Sequence, residues 1–141
     1  MLDLMKRQCV DLLISQFWKN GYLTISRKFG TYLPEPQRMG GFDIDIVARY
    51  KKDYAIGITL NDDDLENPAL KEKIEFLATR QTKFTNKKVL LFLGIPNSLK
   101  KKLEFIISTL DENIRKNIKL LSFNLDLNTS AQPKKKKTFL N

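Results

Sequence analysis

Two aspartates in a predicted β-strand are the first candidates for chemistry in this chain. Asp43 and Asp45 lie within Gly40–Leu60, where two β-rich runs flank a short charged break at Lys51–Asp53 and predict a hairpin. Strands disfavour aspartate, which suggests a use for these side chains. Two carboxylates on one strand face could hold a divalent cation, with water as the remaining ligands. The alternative is that both are edge-strand charges that discourage aggregation.

A three-residue loop at Lys51–Asp53 would fix the register of this hairpin. Asp45 would then face Thr59, and Asp43 would face Asn61. Strand alternation places Phe42, Ile44, Ile46 and Ala48 together on the opposite face. The functional surface that this register predicts consists of Asp43, Asp45, Gly57, Thr59 and Asn61.

Histidine is absent and cysteine occurs once, which narrows the chemistry. Neither a Ser-His-Asp triad nor a Cys-His pair can form, and one thiol without imidazoles cannot build a zinc site. Any catalysis must rest on carboxylates, lysine, tyrosine, hydroxyls and a hard cation such as Mg²⁺. Cys9 lies in an apolar helical pattern, and we predict that it is a small core residue.

Charges near the N-terminus bear on the location of the protein. Asp3, Lys6 and Arg7 interrupt the apolar pattern there, which argues against a signal peptide. No apolar run approaches the length of a membrane span. We therefore expect a cytoplasmic protein without a membrane partner, and a reducing compartment suits the single cysteine.

The chain is basic, with a formal net charge of +9. A basic balance favours polyanionic partners such as nucleic acid, although many small proteins are basic without such a partner. The second long helix and its exit concentrate basic side chains. The candidates for phosphate contacts are Lys71, Lys73, Arg80, Lys83, Lys87 and Lys88. A solvated helix face paired with Glu72 and Glu75 is the alternative.

Hydrophobic periodicity and turn signals predict alternating helices and strands. The predicted helices are Leu2–Asn20, Pro68–Lys83 and Leu99–Asn113. The predicted strands are Tyr22–Phe29, the two arms of the hairpin, Val89–Ile95 and Ile118–Leu125. The continuous apolar run of Val89–Ile95 is typical of a central parallel strand.

The resulting order, α-β-β-β-α-β-α-β, predicts a single α/β domain with a mixed central sheet flanked by helices. The domain is expected to cover residues 1–127. Residues 128–141 are polar and contain Lys134–Lys137, so we expect a flexible Lys-rich tail there.

In its element order and its aspartate-bearing hairpin, the segment 4–95 resembles the PD-(D/E)XK nuclease superfamily, especially its Holliday-junction-resolvase and restriction-endonuclease-like members. The resemblance implies that Asp45 or Asp43 is the metal-binding aspartate and that Asp11 is the assisting acid of the first helix. It also implies Mg²⁺ as the cofactor of an active member, and DNA in preference to RNA as the partner. The acid-x-Lys positions of the second strand fall on Gly57 and Thr59, which supply neither a carboxylate nor an ammonium group.

The expected function is nucleic-acid binding by a nuclease-like domain with a degenerate catalytic centre. Two alternatives stay open. An active Mg²⁺-dependent DNA endonuclease would combine Asp45 with an acid from Asp62–Asp64 and a base from Lys71 or Lys73. A protein-interaction or regulatory subunit would keep only the fold, and a homodimer or a protein partner is compatible with the sequence.

Overall fold

The first helix, α1 (Leu2–Lys19), ends at the Asn20-Gly21 signal. Gly21 has a φ of +88°, which glycine adopts without a steric penalty. The Tyr22 N–H donates to the Phe17 carbonyl at 2.9 Å across this turn, as in a Schellman motif. The Tyr22 ring also lies edge-on to Phe17, with the ring centroids 5.7 Å apart. Phe17 and Tyr22, which close the end of the helix, therefore also pack together at the edge of the core.

The computed structural model describes residues 2–82 and 87–125, and its strands form one five-stranded mixed sheet. The strands are β1 (Leu23–Arg27), β2 (Ile46–Tyr50), β3 (Asp53–Thr59), β4 (Leu90–Pro96) and β5 (Ile118–Phe123). Their spatial order follows the chain, with antiparallel β1–β2 and β2–β3 pairs and parallel β3–β4 and β4–β5 pairs. The predicted central parallel strand at Val89–Ile95 is confirmed as β4.

The helices after β3 are shorter and more numerous than predicted. They are α2 (Asp62–Glu66), α3 (Leu70–Ala78), a 3₁₀ turn (Asn97–Leu99), α4 (Lys100–Ser108) and α5 (Glu112–Arg115). At the end of α3, the Thr79 hydroxyl donates to the carbonyls of Glu75 and Phe76, so the helix stops before the predicted Lys83. The predicted helix Leu99–Asn113 is divided at Thr109–Asp111, and the additional segments lengthen the predicted element order.

Helices cover both faces of the sheet, as predicted. On one face, α1 packs against the sheet through an apolar cluster of Val10, Leu13, Phe17, Ile46, Ala48, Ala55 and Phe92. On the other face, α3 and α4 contribute to a second cluster, which includes Ile44, Ile56, Ile58, Ile74, Leu77, Leu93 and Leu103. The α/β fold with a mixed sheet between helices is thus confirmed. Among the described residues, no helix combines the length and apolarity needed to cross a membrane.

The predicted hairpin register is wrong by one residue. Asp53 belongs to β3 and pairs with Tyr50, so the loop consists of Lys51 and Lys52 alone. Lys51 adopts a φ of +56° in this tight turn. The β2–β3 ladder therefore begins at the pair Ile46–Gly57 rather than placing Asp45 opposite Thr59.

A bend at Asp45 also breaks the predicted alternation of side chains. Ile44 packs in the cluster that includes α3, whereas Ile46 packs beneath α1. The expectation that Ile44 and Ile46 share one face is therefore wrong. Because the strand becomes regular only after this bend, Asp45 is free to turn its carboxylate towards Thr59.

Two predictions fall outside the part of the chain that the structure describes. One is Lys83, a candidate for phosphate contact. The other is the Lys-rich tail at 128–141, together with the domain boundary at residue 127.

Candidate functional site

Asp45 is a buried carboxylate at the point where the chain enters β2. The residue is 3% exposed. Its Oδ2 accepts hydrogen bonds from the Thr59 backbone N–H at 2.7 Å and from the Thr59 hydroxyl at 2.9 Å. Hydrogen bonds to an ionised acceptor are stronger than neutral ones, so these contacts tie the start of β2 to the end of β3.

Lys6 of α1 supplies a cation to this carboxylate. Its Nζ lies 3.2 Å from Asp45 Oδ2 and donates to Thr59 Oγ1 at 2.9 Å. The Lys6 side chain is 31% exposed, so its ammonium group lies at the border between the core and solvent. The three groups form a closed network, which we call the Asp45 cluster: Asp45, Thr59 and Lys6.

Sequence reasoning missed Lys6, although the sequence carries a signal for it. Lys6 precedes Val10, Leu13 and Phe17 at spacings of four, three and four residues, so it lies on the buried stripe of α1. A lysine on an apolar helix face requires a partner for its charge. In this protein the partner is a carboxylate from a distant part of the chain.

Two further lysines lie near Asp45. The Lys28 Nζ is 4.0 Å from Asp45 Oδ1, on the side that Lys6 leaves open. Lys73, from α3 on the other sheet face, is half-buried and lies within electrostatic range of Asp45. Burial lowers the pKa of Lys73 from its ordinary value of 10.5, and the charges of Asp45 and Asp64 offset part of that effect.

Lys73 has no hydrogen-bond or ion-pair partner among the described residues. A half-buried ammonium group without such a partner carries a desolvation cost that an anion at the site would relieve. Lys28, Lys6 and Lys73 come from three different elements, namely the segment after β1, α1 and α3. Three ammonium groups thus act on one buried carboxylate, while Asp64 and the exposed Asp43 lie within electrostatic range of Lys73. The buried carboxylate alone does not balance the three positive charges.

Cys9 lies next to the Asp45 cluster, and its thiol is unreactive. It is buried, as predicted, and burial raises the pKa of its thiol to about 12. The Lys6 charge opposes this rise and the Asp45 charge adds to it. A thiol with so high a pKa holds almost no thiolate at neutral pH, so Cys9 serves as core packing.

A small cavity of about 20 Å³ adjoins Lys6, Cys9 and Thr59. Asn61 and Asp64 line its other side. Its volume suits about one water molecule, and its lining is mostly apolar, with Met5, Leu60 and Pro96 among the contributors. The space beside the cluster is therefore too small for a substrate.

The other predicted acids are not brought to Asp45. Asp43 is exposed and pairs with Arg38, with Oδ1 and Nε 3.1 Å apart. Asp11 is exposed on α1 and pairs with Arg27 at 2.5 Å. The predicted surface of Asp43 and Asp45 as paired ligands is therefore not assembled, because the bend at Asp45 separates their directions.

Asp62–Asp64 likewise serve other contacts. The Asp64 carboxylate accepts from the Asn61 N–H while the Asn61 side chain accepts from the Asp64 N–H, which is a capping box for α2. Asp62 and Glu66 pair with Lys102 of α4. Lys102 holds the pKa of the Glu66 carboxyl below its ordinary value through a hydrogen bond.

Gly57 has no room for the missing carboxylate. A Cβ atom at this position would lie 3.0 Å from a Leu13 methyl group, 3.1 Å from the Phe17 ring and 3.3 Å from Ile46. The glycine thus lets α1 approach the sheet closely. A carboxylate there would be buried among apolar groups of α1 instead of pointing at Asp45.

The predicted basic residues divide between separate regions. Lys73 lies near Asp45, and Lys71 is exposed on the same helix. Arg80 stacks on Phe76, with its Cζ 3.8 Å from the ring centroid. Lys87 pairs with Asp53 at 3.2 Å, at the opposite end of β3 from Thr59, and exposed Lys88 follows it. Since a seven-residue strand spans about 20 Å, Lys87 and Lys88 do not form one surface with the Asp45 cluster.

The donor set around Asp45 does not suit Mg²⁺. Within residues 2–82 and 87–125, no three His, Cys, Asp or Glu side chains are grouped to hold a metal ion. The Asp45 Oδ2 already accepts three donors, and the Lys6 and Lys28 ammonium groups would repel a dication. Mg²⁺ sites instead use carboxylates, phosphate oxygens and water in octahedral geometry.

Comparisons of this chain with protein-family models, curated proteins and solved structures give no match.

Proposed function

We propose that this protein binds nucleic acid through a PD-(D/E)XK-like domain in which the Lys6 ammonium group stands in place of a catalytic metal ion. The observation that carries the proposal is the Asp45 cluster. A buried aspartate at the start of the hairpin meets Thr59 at its end, and a lysine Nζ lies 3.2 Å from the carboxylate.

The order of the sheet supports the nuclease-like part of the proposal. A helix, three antiparallel strands, a helical segment and a parallel strand follow one another, and the sheet order is β1-β2-β3-β4-β5. The family resemblance expects the aspartate on the first strand of the hairpin, and Asp45 is the residue immediately before that strand, β2. The fold alone does not specify a function, so the argument rests on the residues at this position.

The charge distribution supports phosphate as the group that is recognised. Lys28 is close to Asp45 yet in contact with solvent, and half-buried Lys73 lacks a partner in the described part of the chain. Lysine binds phosphate as a point charge, without strict geometry. Backbone phosphates would therefore be held mainly by charge, and affinity would depend steeply on salt.

The donor set supports binding without hydrolysis. Activation of water in a metal-dependent nuclease needs a cation held by carboxylates beside the phosphate. Asp45 is engaged by Lys6 and Thr59, and Gly57 faces apolar groups of α1. We therefore expect a binding module.

Fluorescence anisotropy titration of a labelled DNA oligonucleotide over a series of salt concentrations tests this proposal. Lys28→Gln and Lys73→Gln should each weaken binding and each lower the slope of log K against log salt by about one. Lys119→Gln is the matched control, because Lys119 is exposed on β5, far from Asp45 in the sheet order.

Three results would overturn the proposal. Binding that is absent for both DNA and RNA would favour a protein-interaction subunit. Equal losses of DNA affinity in the Lys73 and Lys119 variants would show that the binding site is not at Lys73. Cleavage that needs Mg²⁺ and disappears in Asp45→Asn would establish a nuclease instead.

A further inference from the structure

An open groove of about 400 Å³ lies between α1 and the segment that follows β1. Its walls carry two guanidinium groups, from Arg7 and Arg27, two aromatic rings, from Phe29 and Tyr32, and the carboxylate of Asp11. The volume is within the range of about 300–1,000 Å³ that is usual for small-molecule pockets. Positive charge combined with aromatic rings is the composition of surfaces that bind single-stranded nucleic acid.

The groove is joined to the Asp45 cluster by two pairs of consecutive residues. On α1, Lys6 contacts Asp45, and the next residue, Arg7, lines the groove. After β1, Lys28 approaches Asp45, and the next residue, Phe29, lines the groove. The groove and the proposed phosphate site are therefore lined by adjacent residues of the same two segments.

Phe29 is held in a conformation that bulky residues seldom adopt. Its φ is +63°, in the left-handed region. Such a backbone persists only where surrounding contacts enforce it, and it often marks a functional position. Here the Phe29 ring packs against the apolar cluster between α1 and the sheet. The Arg7 guanidinium lies over the same ring, with Cζ 5.2 Å from the ring centroid.

Tyr32 presents an uncovered ring to the same groove. It is 95% exposed, and it stacks on no other ring or cation in the described part of the chain. Arg27 is different, because Asp11 neutralises its charge. Arg7 has no carboxylate partner among the described side chains, so its charge and the Tyr32 ring are both available to a ligand.

We propose that this groove holds an unpaired nucleobase, stacked on Tyr32 and on the Arg7–Phe29 pair, while the adjoining phosphate lies against Lys28. This inference rests on the proposed nucleic-acid binding and specifies its target as single-stranded or unpaired nucleotides. A paired base cannot enter such a groove, because its faces are already stacked in the duplex. Stacking on aromatic rings tolerates every base, so little sequence preference is expected.

Three labelled ligands of equal length separate the base from the phosphate. They are an oligothymidine, an abasic strand with the same phosphates, and the duplex of the oligothymidine with its complement. Wild type should bind the oligothymidine more tightly than either of the others in anisotropy titrations. Tyr32→Ala should weaken oligothymidine binding about five-fold or more and leave abasic binding unchanged, while Tyr32→Phe should retain the wild-type affinity.

Phe105→Ala is the matched control, because Phe105 is an aromatic residue of α4 that is 72% exposed. It should leave all three affinities unchanged. Equal affinity of wild type for the abasic strand and the oligothymidine would overturn the base-binding groove and leave phosphate-directed binding standing. Equal effects of Tyr32→Ala and Phe105→Ala would overturn it as well. Failure of all three ligands to bind would overturn the proposed function together with this inference.

Discussion

The ion pair between Asp45 and Lys6 should contribute a measurable coupling energy to folding. The two atoms lie 3.2 Å apart, and the side chains are 4% and 31% exposed. At this distance and an effective dielectric constant of about 20, the Coulomb attraction is about 5 kcal/mol. Desolvation of the two groups opposes most of this attraction, and solvent at Lys6 screens the remainder. We therefore expect a net coupling of about 1–3 kcal/mol.

A double-mutant cycle with Asp45→Asn and Lys6→Met measures this coupling by urea unfolding. Each single variant should lower the free energy of unfolding by about 2–4 kcal/mol, because it leaves a charge or a hydrogen-bonding group without its partner. The double variant should lose less than the sum. Lys28→Met is the control, because its Nζ is 4.0 Å from Asp45 and its coupling should stay below about 1 kcal/mol.

A coupling between Asp45 and Lys6 below about 0.5 kcal/mol would refute this reasoning, since independent sites are additive within that limit. The same conclusion would follow if Lys6→Met cost nothing. In either case the buried carboxylate would owe its stability to groups other than Lys6, and the proposal that the Lys6 ammonium group replaces the metal ion would be lost.

Further predictions concern the metal, the packing of α1 and the charge of Lys73. Adding Mg²⁺ or Mn²⁺ should leave the thermal midpoint unchanged in calorimetry, because the Asp45 carboxylate is already engaged by Lys6 and Thr59. Gly57→Ala should lower the free energy of unfolding in urea by about 1–3 kcal/mol, because the new methyl group meets Leu13 and Phe17. Lys73→Met should raise the free energy of unfolding near neutral pH by at most about 1 kcal/mol, because a half-buried charge is removed but solvent already screens its exposed part. Burial lowers the pKa of Lys73, so the folded state releases this proton before the unfolded state does. The difference in the free energy of unfolding between the variant and wild type should therefore shrink as the pH rises towards 10.5.

Each of these predictions has an outcome that contradicts it. A metal-induced rise in the midpoint that Asp45→Asn abolishes would revive the Mg²⁺-dependent alternative. A Gly57→Ala variant as stable as wild type would show that α1 can move away from the sheet at little cost. A Lys73→Met advantage that grows with pH would mean that Lys73 is stabilised, not penalised, in its charged form.

The fold could be predicted where the sequence signals are local. The apolar run that became β4 and the Asn20-Gly21 stop of α1 both depend on neighbouring residues. The hairpin register could not be predicted in this way, because Asp53 is typical of turns yet pairs with Tyr50 in the ladder. There, the strand pairing overrides the turn preference of one residue.

The candidate site was predictable at Asp45 and not at its partners. An aspartate within a strand pattern is visible in the sequence, whereas nothing in the sequence around Asp45 identifies a cation 39 positions earlier as its partner. The position of Lys6 in line with Leu13 and Phe17 was the available clue. Asp11, which the family resemblance favoured, faces Arg27 instead because it lies on the exposed side of α1.

The sheet order has a consequence for how this chain is assembled during synthesis. Because the strands lie side by side in the order in which they are translated, each new strand adds to a free edge, and none must be inserted between two paired neighbours. Lys6 has also emerged long before Asp45 leaves the ribosome. The buried carboxylate therefore meets its counter-charge as soon as the hairpin closes, and no intermediate has to hold it unpaired while later residues are made.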